Sequence, residues 1–258
     1  MWRLIRIGIL LLILFVVAGG AWSDRQRTTD WSGTLWVGVF PVNGDGAPVT
    51  GRYIAALERE QYTDIEEFFA QAAAEYGVPL KQPVKMVLYP QVTELPPRLE
   101  PGTGVAGRIW WSLKLRYYTW RQAGETPADI RVFVLYHDPD RTTAMPHSLG
   151  LQAGLLGVVY AFAHEALDEP NNVVIAHEIL HTVGATDKYD PATNLPVFPQ
   201  GYGEPDAEPR FPQATAEIMA GRIAISPDEA EIPEGLADVI VGPETAGEIR
   251  WVETVEGN

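Results

Sequence analysis

The chain has 258 residues, a length that fits one medium-sized domain with a short appendage, and with 46% hydrophobic and 21% charged residues it is globular rather than disordered. Its net charge is −15, and residues 201–258 hold 13 acids against Arg210, Arg222 and Arg250, which disfavours a nucleic-acid binder. It has no cysteine, so disulfides, thiolate metal sites and a cysteine nucleophile are excluded, and any metal must be held by carboxylates and the five histidines.

Arg3 and Arg6 precede an apolar run at residues 7–17, and Ala18, Gly19, Gly20 and Ala21 follow it. A positive start, an apolar stretch and small residues describe a secretory signal peptide. Left uncleaved, residues 7–22 would form a helix of about 24 Å, slightly short of the roughly 30 Å hydrocarbon core. Trp2, Leu4 and Ile5 could extend it while the arginines reach the interface. Residues 1–22 are therefore expected to be a signal peptide or a single transmembrane anchor. Either one places the remainder outside the cytoplasm, periplasmic or at the cell surface, anchored or secreted. The polar residues 23–33 read as a linker, and residues 34–258 as the functional domain.

Residues 35–42 predict a strand that ends in the turn cluster Asn43, Gly44, Asp45 and Gly46. Residues 63–76 predict a helix with Thr63 as N-cap, Glu66 three residues on, and Gly77 as its stop. Ile65, Phe68, Phe69, Ala72 and Tyr76 share one face of it. Residues 84–89 read as a strand, 91–107 as a Pro- and Gly-rich loop, 108–121 as a helix, and 130–136 and 155–163 as strands. Asn171 or Asn172 is expected to cap a helix over residues 173–183, with Gly184 ending it. A Pro-rich loop at residues 190–212 and a C-terminal helix at 244–252 complete the order. The fold class is α/β of the α+β kind, a mixed sheet with helices packed on it.

The chemistry is concentrated in His177, Glu178, His181, Gly184 and Asp187. On a helix, His177 and His181 are i and i+4, so both imidazoles leave one face about 6 Å apart. That spacing suits two ligands of one tetrahedral Zn²⁺. Glu178 is rotated around the helix and can reach a water on the metal without being a ligand. Gly184 lets the chain turn sharply and bring Asp187 back as third ligand, which leaves one coordination position open for catalysis. The cofactor expected is therefore Zn²⁺, and no other cofactor site is expected.

This HExxHxxGxxD pattern resembles the metzincin clan of zinc metallopeptidases, in the variant with Asp at the last position, as in snapalysin and immune inhibitor A. The run Asp187, Lys188, Tyr189, Asp190 is similar to the latter. The resemblance implies a twisted mixed sheet, a zinc-binding active-site helix, a methionine turn and a C-terminal helix. It also implies that Met219, within Glu217-Ile218-Met219-Ala220-Gly221, packs beneath the three ligands as an apolar floor. Gly221 stands two residues after Met219, so no tyrosine ligand of the astacin kind is available there, and the absence of cysteine excludes a cysteine-switch propeptide.

The function expected from these residues is extracytoplasmic endopeptidase activity on a peptide or protein substrate. Glu178 would act as general base, and the substrate would lie extended beside an edge strand, for which residues 155–163 are the candidate. A zinc-binding, non-proteolytic module that holds a peptide or partner at the membrane is the alternative, and a tethered structural factor is a third. The intact Glu178 argues against the module, because a binder has no need of a general base, and metal content separates the structural factor from the other two. His164 and Glu165 look like half of a second motif but lack a second histidine. Residues 108–121 join Trp110, Trp111, Tyr117, Tyr118 and Trp120 to four bases and no acid, a pattern that fits either sheet packing or a membrane surface.

Overall fold

The computed structural model describes residues 30–100, 102–142, 148–151 and 155–252. The expected signal or anchor at residues 1–22, and the linker up to residue 29, lie outside them. Among the described residues no helix is long and apolar enough to cross a membrane.

Five strands form the central sheet: β1 (Leu35–Asn43), β2 (Val84–Leu88), β3 (Ile130–His137), β4 (Leu149–Leu151) and β5 (Leu156–Phe162). Their spatial order is β2-β1-β3-β5-β4. The first four in that order run parallel, and β4 pairs antiparallel with β5 through Gly150 opposite Gly157. The protein is thus mixed α/β with a mixed sheet, as its alternating patterns predict.

Alternation along each strand divides the core into two layers. Val37 and Val39 of β1, Val132 and Val134 of β3 and Val159 of β5 face one side. There they meet α2 (Thr63–Glu75) through Ile65 and Phe69, and α4 (Asp168–Val183) through Ile175, Ile179 and Leu180. Phe40, Phe133, Leu135 and Val158 face the other side and meet Trp111, Leu115 and Tyr118 of α3 (Val105–Ala123). Each fully buried Ile, Leu or Phe of this kind contributes about 1.5–3 kcal/mol. Two layers around one sheet therefore hold the site-bearing helix rigidly against β5.

Several elements differ from expectation. The strand β5 is not an edge, because β4 covers it, and the three residues of β4 are too few to show alternation. A helix α1 (Pro48–Ala56) follows β1, with Pro48 in its first turn supplying the fixed φ that suits a helix start. Thr63 does not cap α2, since a 3-10 turn at Arg59–Tyr62 runs directly into it. The helix α4 begins at Asp168 rather than after the asparagines, because Pro170 sits in the first turn, where no N–H is needed. Asn171 bonds both backbone groups of Phe162, at 3.0 and 2.9 Å, and Asn172 bonds the Gln61 carbonyl at 2.6 Å. Their amides join helix to sheet instead of capping. The last helix, α5 (Pro243–Glu248), is shorter than expected.

Candidate active site

The helix α4 presents His177 and His181 from successive turns, with ring centroids 4.7 Å apart. Gly184 then adopts φ 112°, in the left-handed region that favours glycine. The N–H groups of Gly184 and Ala185 return to the carbonyls of His181 and Leu180, at 3.2 and 3.0 Å. This turn brings Asp187 back over the helix. Its Oδ1 lies 3.3 Å from His177 Nε2 and 3.0 Å from His181 Nε2.

The tautomers are fixed from behind. His177 Nδ1 lies 2.8 Å from the Ile218 carbonyl, and His181 Nδ1 lies 2.9 Å from the Ala185 carbonyl. A carbonyl only accepts, so each Nδ1 carries the hydrogen and each Nε2 is directed toward Asp187, with a lone pair there whenever the ring is neutral. Three electron-pair donors then converge on one point, which is unfavourable unless a proton or cation stands among them. Ligand atoms about 2.1 Å from a tetrahedral cation are about 3.4 Å from one another, close to the separations seen here. The donor set thus fits a small divalent cation, and the ligand atoms of His177, Glu178 and His181 also lie within 4.8 Å of one another. Burial, which opposes protonation of His177, is outweighed by Asp187, Glu178 and the Ile218 carbonyl, so its pKa is raised. Burial would lift the Asp187 carboxyl, but its contacts with the two imidazoles hold it well below the usual range.

Glu178 is buried, and its Oε2 has no hydrogen-bond partner among the described residues. Burial pushes its carboxyl above the ordinary range, against the pull of the two histidines. The edge strand β4 closes over it. A Cβ on Gly150 would stand 2.5 Å from the Glu178 carbonyl oxygen and 2.6 Å from His181 Cβ, so only glycine fits there. In front of the helix lies a cleft of about 520 Å³, lined by His177, Glu178, Tyr160, Phe162, Tyr189 and Arg222 among others. Burial raises the Tyr189 phenol, as do the nearby Asp187 and Glu178, so it stays protonated and able to donate.

Met219 is fully buried in the same core layer as Ile179 and Leu180. Its turn is held by Glu217, which is itself fully buried and which sequence reading passed over as one acid among many. Glu217 accepts from Met219 N at 2.6 Å, Ala220 N at 3.1 Å, Gly242 N at 3.1 Å and Thr245 Oγ1 at 2.6 Å. Burial nonetheless leaves its carboxyl raised. On the far side of Asp187, Lys188 Nζ binds Thr186 O at 3.0 Å and Glu248 Oε2 at 2.8 Å, and Lys188 N donates to Met219 O at 2.9 Å. His164 lies apart from this centre, where its Nδ1 accepts from Ala166 N at 3.2 Å in a local turn.

Glu217→Ala would leave several buried donors without an acceptor. It is expected to cost about 3 kcal/mol or more in urea unfolding, with Glu217→Gln losing less because one acceptor oxygen remains.

No family model and no curated relative matches the chain. Among solved structures, wild-type OgpA from Akkermansia muciniphila is similar at 12% identity and a TM-score of 0.44, over 87% of this chain and 63% of that one. Catalytically inactive OgpA in complex with an O-glycopeptide substrate, glycodrosocin, is similar at 11% identity and 0.36, over 83% and 58%. A chaperone–substrate complex is similar at 11% identity and 0.37, over 84% and 34%. The chain spans less than two thirds of the length of each of these structures. All three scores lie below 0.5, so the likeness bears on neither fold nor chemistry.

Proposed function

We propose that this chain is a zinc metalloendopeptidase acting outside the cytoplasm. The observation that carries the reading is the convergence of His177 Nε2, His181 Nε2 and Asp187 Oδ1 beside the buried, unpartnered Glu178 Oε2. His177, His181 and Asp187 would hold Zn²⁺, which when bound supplies a Lewis acid for the scissile carbonyl and lowers the pKa of the attacking water. Glu178 takes a proton from that water at its carboxylate and returns it to the leaving amine. Its raised pKa suits a group that must both accept and give a proton near neutrality. The outer edge of β4 offers backbone groups to an extended peptide, whose side chains would enter the cleft beside Tyr160 and Phe162. Met219 forms the apolar floor that keeps the histidine-bearing helix in place.

A digest of a peptide library with and without chelator, on protein of measured zinc content, tests this reading. Zinc-loaded protein that cleaves no peptide would overturn it.

Tyr189 faces the same cleft as Glu178 and would donate its phenolic hydrogen to the carbonyl oxygen as charge develops there. Tyr189→Phe is expected to lower kcat about 100-fold, with KM and zinc content unchanged, in steady-state kinetics. The location follows from Arg3, Arg6 and the apolar residues 7–17, with residues 1–22 as cleaved signal or retained anchor. A reporter fused after Asn258 is expected to be active only outside the cytoplasm.

A further inference from the structure

We propose that the outer face of α3, continued by Trp36 and Lys85, docks on the surface of an anionic lipid bilayer. The inner face of α3 is satisfied, with Trp111, Leu115 and Tyr118 packed on the sheet. The outer face exposes Ile109 by 58%, Trp110 by 63%, Tyr117 by 61% and Trp120 by 69%. At about 100° per residue these four fall within an arc of about 100°, so they form one stripe. Lys114 and Arg121 border it on one side and Arg116 on the other. No acid occurs between Val105 and Ala123, although the whole chain carries 34 acids against 19 bases. Glu94, on the preceding loop, reaches this helix through Arg121 and Gln122.

The pattern continues onto the sheet. Beyond α3, Asp129 N donates to Trp36 O at 2.8 Å, which sets the C-terminal end of the helix beside the start of β1. Trp36 is 42% exposed there, with Lys85 Nζ 4.6 Å above its ring. The C-terminal end of the stripe and Trp36 therefore lie at the same end of the sheet. Trp and Tyr rings with polar tips suit the headgroup boundary, and flanking Lys and Arg suit anionic headgroups. The exposed face is the convex surface of a helix, and a lipid surface requires no pocket to receive it. The charge complementarity selects anionic lipid, since this helix carries four bases and no acid in a chain that is acidic overall.

The absence of cysteine allows one test on the full chain. Tyr117→Cys is spin-labelled, the protein is combined with vesicles of phosphatidylcholine alone or with phosphatidylserine, and collision with oxygen and with a water-soluble nickel chelate is measured. Glu67→Cys, exposed on α2, is the control. With phosphatidylserine, the label at 117 is expected to lose most of its nickel accessibility and gain oxygen accessibility. High salt, or Lys114→Glu with Lys85→Glu, is expected to reverse this while circular dichroism stays unchanged. A label at 117 that stays as accessible as the control overturns the proposal, however the N-terminal residues behave. Protection that appears without lipid also overturns it, and assigns the face to a second copy of the chain or another protein.

Discussion

Glu178→Gln is expected to retain fold and zinc and to lose about 10²–10⁴-fold in peptide cleavage. Glutamine is nearly isosteric, so it fits the narrow space under Gly150, where the Glu178 Oε2 would be 3.0 Å from any added Cβ. It cannot accept a proton, so the base is removed without a cavity. Zinc should stay because His177, His181 and Asp187 remain in contact. Zinc content, circular dichroism and turnover on one cleaved peptide check the three parts separately. Equal turnover by the variant and the wild type would refute the assigned role.

Removing the metal donors is expected to act on a different quantity. In His177→Ala/His181→Ala the zinc content should fall from full to near zero, and the stability conferred by metal should vanish with it. For wild-type protein with free zinc at about a hundred times Kd, binding adds about 2.7 kcal/mol to unfolding stability. Chelator should therefore lower the Tm of the wild type and leave that of the double variant unchanged. Asp187→Ala should fall between, since two nitrogen donors remain and their Nδ1 atoms are still held by Ile218 and Ala185. Full zinc retention in the double variant would refute the ligand assignment.

The parts of this protein that were legible in its sequence are those governed by local periodicity. The i, i+4 histidines and Gly184 declare a helix and its left-handed stop, and the return of Asp187 follows from that stop. The alternating Val, Ile and Phe of β1 and β3 declare strands and the sides they bury. What could not be read depends on distant partners. A three-residue strand such as β4 has no period of its own and exists because β5 lies beside it. Gly150 looks like any loop glycine until the helix is seen against it. Glu217 resembles the many surface acids of the C-terminal quarter, and only burial beside Gly242 and Thr245 sets it apart. Asn171 and Asn172 have the chemistry of caps, and tertiary partners claim their side chains.

The short helix α5 has a consequence for when the centre can form. Its first turn holds Glu217, and through Glu217 the turn whose Ile218 carbonyl orients His177. Its last residue, Glu248, binds Lys188 and Thr186, the two neighbours of Asp187. Ile249, next in the chain, accepts from the indole of Trp31 at 2.7 Å. Without residues 243–249 both tethers are lost, so the Ile218 carbonyl that orients His177 and the Thr186 and Lys188 flanks of Asp187 take their places only once α5 has docked.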